Sequence, residues 1–398
     1  MDVTKDNFAK ALGEFKAAVG ACDFAALDME MTGLYEAREH QPSRLDTCDA
    51  RYAKLKRSVE AFGVVQVGVC LFTWVGDCYE ARPFNFNVFP ASTVGGADAD
   101  VHFACKSSAL EFLGKSGFDF NKWVYQGIPY LRSETAERIR AERTQLLTSR
   151  QRAMPDDPFV ADLERALAAF MASARQSLLY ETANSYQRKL VYDAVSSHDT
   201  LGTRSRAAGI EIFKGSRRAI ARLVASKVRA LDACVDGARG FTAVIDLLSA
   251  ARKPVVGHNM LLDVLHAYSK FVRDLPPTRP EFARAVAGFL PVLIDTKYII
   301  ESTPAIKAKY GTSNLDEIAP ALEAAGGAAP IRFHARFTRN VSHTMHEAGF
   351  DAYMTGATFI RLLDLGGGLD LAPELVLYRY INKLYAATTE GMSWNVSC

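Results

Sequence analysis

Three kinds of feature are missing from this chain of 398 residues: paired cysteines, long apolar runs and an excess of charge of one sign. Its seven cysteines include no C-x-x-C pair, which argues against a disulfide framework or a structural zinc site and favours a reducing compartment, the cytosol or the nucleus. No apolar run reaches about 18 residues, so we expect no membrane contact by this chain. The formal charge of +2 means that any surface for a polyanion must be local.

The order of the predicted elements indicates an α/β protein with an insertion. Apolar, β-branched or alternating segments predict strands at residues 22–31, 61–74, 84–90, 254–259 and 290–300. Helical patterns separate them. We therefore predict a mixed central sheet flanked by helices, built from residues 1–154 and 237–398. A small, mostly helical domain at 155–236 interrupts it.

The inserted segment carries the local basic surface. Between Arg204 and Arg229 there are eight basic residues and one acid, Glu211. Such a run is typical of a solvated helix face, but it also suits contacts with phosphates. On the second interpretation, the candidate RNA contacts are Arg217, Arg218 and Arg222.

Two acids follow an apolar run in 24-FAALDMEMTGL-34. Successive side chains of a strand point to opposite faces, so Asp28 and Glu30 share one face. Two ionised carboxylates that close are tolerated if water screens them, if one is protonated, or if a cation lies between them. An ordinary exposed strand end is the alternative to a metal site.

Three further residues lie where a strand passes into a helix or in the helix's first turns: Asp263 in 257-GHNMLLD, and His346 and Asp351 in 346-HEAGFD. With the acids of the first strand they make four carboxylates and one imidazole. This set suits phosphodiester hydrolysis with two Mg²⁺ ions held by carboxylate oxygens. His346 is the candidate general base, because histidine is the side chain best suited to take a proton from the attacking water near neutral pH.

Other interpretations of these residues stay open. Asp263 alone could be a charge at a helix terminus, and His346 and Asp351 could be structural. Asp295, another acid at a strand end, is a rival metal ligand that we rank below Asp263. His258 is expected to be a hydrogen-bonded turn residue. His343, three residues before His346, suggests zinc, but no third ligand accompanies the pair.

The ordered set D-x-E, N-x-x-x-D and H-x-x-x-x-D resembles the DEDD superfamily of 3′-to-5′ exonucleases in its histidine branch. Longer stretches resemble the poly(A)-specific ribonuclease (PARN) family of deadenylases and its relatives that trim small-RNA 3′ ends: 51-RYAKLKRS, 84-FNFNVFP, 118-FDFNKWVYQGIPYL, 186-YQRKLVY, 255-VVGHNMLLDVLH and 345-MHEAGFDAY. The resemblance extends from the N-terminus to about residue 365.

The resemblance implies an RNase H-like core, a requirement for Mg²⁺ or Mn²⁺, two ions per site, release of 5′-nucleotides from a free 3′-OH end, and homodimerisation. It makes Asp28, Glu30, Asp263 and Asp351 the metal ligands and His346 the base. The inserted segment departs from the family's Arg-x-x-x-His signature, since its only histidine, His198, follows Ala194 by four residues. The chain's end leaves no room for a cap-sensing RNA-recognition domain or a membrane anchor, so cap-stimulated activity is not expected.

We therefore expect a metal-dependent deadenylase that acts on poly(A) tails or other single-stranded RNA 3′ ends. The alternatives are a small-RNA trimmer without strong adenine preference, an inactive RNA-binding pseudonuclease, and a phosphohydrolase of small nucleotides. Contacts with the terminal nucleotide are predicted for Met31, Gly33, Leu34 and Asn259. Gly33 is included because a glycine allows backbone to approach a ligand closely.

Overall fold

The computed structural model of the chain describes residues 1–90, 101–149, 153–327, 329–337, 346–366 and 378–396. The chain divides into two compact units. The first combines residues 1–135 with 238–398, and the second spans 136–237.

The elements follow one another in three stretches of sequence. Those before residue 130 are β1 (Asp2–Val3), α1 (Phe8–Val19), β2 (Phe24–Met31), a 3₁₀ turn (Arg38–His40), α2 (Cys48–Ala61), β3 (Val64–Val75), β4 (Cys78–Asn87), α3 (Ser107–Lys115) and α4 (Phe120–Gln126). The next are α5 (Ser133–Thr148), α6 (Pro158–Ala172), β5 (Ser177–Glu181), α7 (Ser185–Ser196), β6 (Leu201–Arg206), β7 (Gly209–Lys214) and α8 (Arg217–Arg239). The last are α9 (Thr242–Ala251), β8 (Val255–Gly257), α10 (Leu261–Ala267), a π-helical turn (Tyr268–Val272), α11 (Arg279–Phe289), β9 (Leu293–Asp295), α12 (Thr296–Ser302), α13 (Pro304–Tyr310), α14 (Leu315–Ala324), β10 (Ile331–Phe333), α15 (Ala348–Gly366), β11 (Lys383–Thr388) and β12 (Gly391–Asn395).

A mixed sheet organises the first unit. Its strand order is β1-β4-β3-β2-β8-β9, and β10 also pairs with β4. Strands β2, β3 and β4 are antiparallel neighbours, whereas β8 and β9 extend the sheet in parallel from β2. The order β4-β3-β2-β8-β9 is that of an RNase H-like sheet, so the predicted fold class is confirmed.

Both faces of this sheet are covered in its centre. On one face, Phe24 stacks on Phe72 and packs against Phe359 of α15. On the other, Leu27 and Val67 belong to a larger core with residues of α1, α9 and α10. Burial on both faces explains why β3 is apolar throughout most of its length rather than alternating.

The second unit contains a three-stranded antiparallel sheet in the order β5-β7-β6. Residues of α6 and α7 pack on it, with Leu163, Val191 and Ile210 at the centre of the core. The sequence interpretation recognised the helices here but not the strands, because β6 exposes its polar second half and lacks an apolar run.

This unit begins at residue 136, inside α5, rather than at the predicted 155. Arg140 of α5 forms ion pairs with Asp232 and Asp236 of α8, which attach α5 to the inserted unit. A charged helix gives no sequence signal of which domain it packs with. Among the described helices, none combines the length and hydropathy needed to span a membrane.

Candidate active site

The two acids of β2 lie on one face of the strand. Leu27, Met29 and Met31 are buried, whereas Asp28 and Glu30 between them are partly exposed. This alternation is that of a strand, although the pairing with β3 shifts register between Glu30 and Met31. It places both carboxylates on the face that α15 covers further along.

The start of α15 lies unusually close to the sheet beside these acids. Gly68 of β3 is paired with Asp28. A β-carbon at Gly68 would overlap the backbone carbonyl group of Ala348, the first residue of α15. A glycine inside a strand is a known signal of close backbone approach, and the sequence analysis missed it.

Asn85 of β4 fixes the same end of α15 with its side chain. Its amide nitrogen donates to the Glu347 carboxylate at 2.9 Å, and its amide oxygen accepts from the Gly349 N–H at 3.2 Å. These bonds orient the first turn of α15, which carries Asp351. Asn85 therefore positions the site without belonging to it, a role that no local pattern predicts.

Asp263 enters the site from the first turn of α10 and is buried. The turn between β8 and α10 is made by Asn259, whose φ of 60° is left-handed. Asparagine tolerates this conformation better than most residues do. The short turn allows α10 to begin directly after the strand, so that Asp263 faces the acids of β2.

Asp295, the rival candidate ligand, is an acceptor of backbone hydrogen bonds. Its carboxylate accepts five backbone N–H bonds, from Asn259, Met260, Lys297, Tyr298 and Tyr385. Both oxygens are engaged by these donors, so neither is free for a cation. The ranking of Asp263 above Asp295 as a ligand has this structural support.

Burial raises the pKa of all four clustered carboxyl groups, and repulsion within the cluster adds to it for Asp28 and Glu30. The pKa of Asp28 lies well above its usual range because of burial and, next, the charges of Asp263, Asp351 and Glu30. Burial, with Asp351 and Asp263 adding to it, raises the pKa of Glu30 to about 8. Burial raises the pKa values of Asp263 and Asp351 to about 7 each. The cluster thus holds protons unless a cation compensates its charge.

The donor atoms at this edge fit a divalent cation. One ligand atom each from Glu30, His346 and Asp351 lies within 4.8 Å of the others. Asp351 Oδ2 accepts the His346 N–H at 3.1 Å, whereas its buried Oδ1 has no hydrogen-bond partner among the described residues. A buried carboxylate oxygen without a donor is an acceptor available to a metal.

His346 lies at the entrance to this cluster. Its φ of 66° is left-handed, which turns the chain into α15. The Phe112 ring packs against the imidazole in a T-shaped contact, with ring centroids 4.5 Å apart. On another side, His346 Nε2 is 3.9 Å from Asp316 Oδ2. The imidazole is therefore held beside Asp351 and remains partly exposed.

The other histidines considered from the sequence lie elsewhere. His258 Nδ1 is 2.9 Å from the Thr296 hydroxyl, and its Nε2 is 2.9 Å from the Ser313 carbonyl oxygen. Burial, reinforced by Lys297, lowers the pKa of His258 to about 4. It is a neutral, hydrogen-bonded turn residue, as expected. His343 lies outside the described residues.

Some of the residues predicted to contact RNA are buried, and others are exposed. Met31 is buried in the core on the face away from Asp28, so its side chain is placed wrongly for a nucleotide contact. The Phe62 ring fills the space beside Gly33, which explains that glycine without a ligand. Leu34 is 54% exposed, and Asn259 is exposed. Arg217, Arg218 and Arg222 are exposed on α8 in the inserted unit.

Comparison with known sequences identifies the family. Residues 3–359 match the CAF1 family of ribonucleases. The chain belongs to this family.

Individual relatives are consistent with this family assignment. The poly(A)-specific ribonuclease PARN of Xenopus laevis is 30% identical, with 97% of this chain and 67% of that protein covered. The pre-piRNA 3′-exonuclease trimmer of Bombyx mori is 27% identical over 91% of this chain and 71% of that protein. The Mg²⁺- and Mn²⁺-bound structure of Pop2p from S. pombe aligns with 97% of this chain and 98% of its own, at 14% identity and a TM-score of 0.49.

Family membership confirms the resemblance seen in the motifs and the prediction of a ribonuclease. The structure adds that acids from three separate segments, β2, α10 and α15, converge with His346 at one place on the sheet. It also supplies a candidate metal site made of Glu30, His346 and Asp351.

Proposed function

We propose that this CAF1-family chain is a 3′-to-5′ exoribonuclease that removes nucleotides from poly(A) tails or other single-stranded RNA 3′ ends. The observation that carries the proposal is the convergence of four carboxylates and one imidazole, including Glu30, His346 and Asp351 with ligand atoms within 4.8 Å. Relatives named poly(A)-specific ribonuclease and pre-piRNA 3′-exonuclease trimmer support an RNA 3′ end as the substrate.

The four carboxylates would hold two divalent cations, Mg²⁺ or Mn²⁺. Such ions activate a water molecule and stabilise the charge that develops on the phosphodiester oxygens. The raised pKa values support this role. Carboxylates that bind protons in the absence of metal carry negative charge that a divalent cation can compensate instead. The unpartnered Oδ1 of Asp351 supports it independently.

The protein's own residues would divide the remaining work. The His346 imidazole would accept the proton of the attacking water, and the Asp351 bond to the His346 backbone N–H fixes where this imidazole lies. Leu34 and Asn259, which are exposed near β2 and α10, would contact the terminal nucleotide.

The strength of the adenine preference and the oligomeric state are part of the same proposal. We propose a deadenylase and a homodimer. A trimmer without strong adenine preference is the second candidate, and the trimmer among the relatives favours it. The intact set of acids argues against a pseudonuclease.

The test is to incubate 5′-labelled RNA with an A-tail or a U-tail, with Mg²⁺ or EDTA. We expect a ladder that shortens from the 3′ end, requires Mg²⁺ and is lost in Asp28→Ala. Asp6→Ala, which removes an exposed acid outside the site, should retain activity. The A-to-U rate ratio distinguishes deadenylase from trimmer. RNA that is bound but never shortened would refute the nuclease.

A further inference from the structure

The inserted unit contains a large groove that the proposed nuclease reaction does not use. It has a volume of about 1220 Å³ and is lined by α5, α7, β6 and α8. All of its lining residues lie between 143 and 231, so the groove belongs to the second unit alone.

One side of α8 forms an apolar wall of this groove. Ile220, Leu223, Val224, Val228 and Leu231 follow one another at spacings of one, three or four residues and line it. Most of them are only partly buried, so the stripe is not covered by the rest of the chain that the structure describes. An amphipathic helix normally buries such a stripe against another element.

The facing wall mixes apolar with polar and charged side chains, and its apolar part faces the α8 stripe. Leu147 of α5, Val195 of α7 and Leu201 of β6 line it, together with Tyr192. Tyr192 is the single phenylalanine, tyrosine or tryptophan among the lining residues, and His198 adds one imidazole ring. Single-stranded RNA is usually held by several aromatic platforms on which bases stack, so this lining suits aliphatic side chains better than nucleobases.

A lysine interrupts the apolar stripe. Lys227 lies between Val224 and Val228 on α8, and its Nζ is 3.4 Å from the Thr203 hydroxyl. Burial lowers the pKa of Lys227. Across the described ranges, no carboxylate comes within ion-pair distance of it. A cation in an apolar groove gains most from an incoming anion, because the surroundings screen charge weakly.

The charges around Lys227 have the same sign. Arg229 is also among the lining residues, although it lies two helical turns after Arg222 on the same side of α8, and it has no carboxylate partner in the described part of the chain. Arg188 donates to the Ser205 hydroxyl and to backbone carbonyl oxygens, so its charge is not neutralised by an acid. The two lining acids, in contrast, are engaged: Asp193 with Lys189, and Asp199 with Arg217.

We propose that this groove is a docking site for an acidic amphipathic helix of a partner protein. The partner's apolar stripe would pack against the α8 stripe, and one of its carboxylates would pair with Lys227. The opposite side of α8 carries Arg218 and Arg222, which do not line the groove and remain available for phosphates.

The test uses the full chain and two synthetic, fluorescein-labelled peptides of about four helical turns. Both carry leucine at helical spacing, with glutamate at the flanking positions in one and lysine in the other. Fluorescence anisotropy should show binding of the glutamate peptide at least about tenfold tighter than that of the lysine peptide. Equal affinity of the two peptides, or no binding of either, would overturn the proposal.

Three variants assign the binding to the groove. Lys227→Met keeps the apolar volume and should remove most of the preference for glutamate. Lys227→Glu should reverse the preference. Arg222→Glu makes the same charge change on the other side of α8 and should leave peptide binding unchanged. If Arg222→Glu weakens binding as much as Lys227→Glu does, the attraction is general and the groove is not the site. Unchanged circular dichroism and melting would show that the variants fold.

Two other occupants are distinguished in the same experiment. If an A-tailed oligonucleotide displaces the glutamate peptide and its own binding is lost in Lys227→Glu, the groove is an RNA site and the proposal is wrong. If light scattering shows a dimer that Lys227→Glu dissociates, and the glutamate peptide fails to bind, the occupant is a second copy of this chain. Peptide binding that leaves both RNA affinity and oligomeric state unchanged supports the partner helix.

Discussion

Gly68 of β3 lies directly against the carbonyl group of Ala348, with no room for a β-carbon between them. Because Gly68 pairs with Asp28 and Ala348 lies three residues before Asp351, this contact joins the strand and the helix that carry these two acids of the candidate metal site. The distance between the first and last acidic motifs is thus set by a glycine, a residue with no functional group in its side chain.

We expect Gly68→Ala to damage the site more than its small size suggests. The new methyl group must displace the backbone of α15 rather than a flexible side chain. We predict a loss of about 1–3 kcal/mol in the free energy of unfolding and at least about a tenfold loss of turnover. Urea unfolding and the rate of A-tail shortening measure the two effects.

Gly13→Ala is the matched control. Gly13 lies exposed in α1, and an added β-carbon there meets no atom within 4 Å. Alanine in an exposed helix should stabilise the protein by up to about 1 kcal/mol and leave turnover unchanged. Wild-type turnover in Gly68→Ala would show that α15 can shift without moving Asp351 out of place.

Asp295 and Asp263 should respond differently to the same substitution. Asp295→Asn replaces an acceptor of five backbone N–H groups by one that also presents a donor to them, and it should cost about 2–4 kcal/mol of stability. Asp263→Asn removes a charge from a repelling cluster. It should leave the metal-free protein at least as stable while lowering turnover by at least about 100-fold.

Thermal melting at pH 8 without metal, paired with activity in Mg²⁺, separates the two roles. If Asp263→Asn melted as early as Asp295→Asn, Asp263 would be a structural acid. If Asp295→Asn kept full stability, the backbone bonds to Asp295 would contribute little.

The sequence allowed the four clustered acids to be predicted but not the residues that hold them in place. Strand alternation places Asp28 and Glu30 on one face, and the junctions before α10 and α15 point to Asp263 and Asp351. The residues that position these acids were not predicted, because they contact segments far away in sequence. Gly68, for example, lies against Ala348, 280 positions further along the chain. Their function becomes visible only once the sheet brings the segments together.

The cluster's pKa values predict how stability depends on pH. The carboxyl group of Glu30 has a pKa of about 8 when folded, above its ordinary value of 4.5. Between these values the folded state binds the proton that the unfolded state releases. Stability of the metal-free protein should therefore fall as pH rises from about 4.5 to 8, by up to about 1.4 kcal/mol per pH unit for each such proton.

Mg²⁺ should oppose this loss, because it replaces the protons. The stabilisation by Mg²⁺, measured as the rise in melting temperature, should grow between pH 5 and 8. Glu30→Gln should flatten both profiles, whereas Glu39→Gln, at a surface acid outside the cluster, should not. A Mg²⁺ effect that is constant across this range would contradict the coupling between protons and metal.

The contact between Phe112 and His346 leads to the last prediction. Phe112 is 47% exposed, so its removal should cost little stability, yet its ring restricts the imidazole that is proposed to take the proton. We expect Phe112→Ala to lower kcat by about tenfold with little change in KM, because a misplaced base impairs the chemical step. Tyr125→Ala, at an aromatic residue that is 70% exposed, should leave both constants unchanged. If Phe112→Ala instead raised KM for RNA at constant kcat, Phe112 would contact the substrate rather than orient His346.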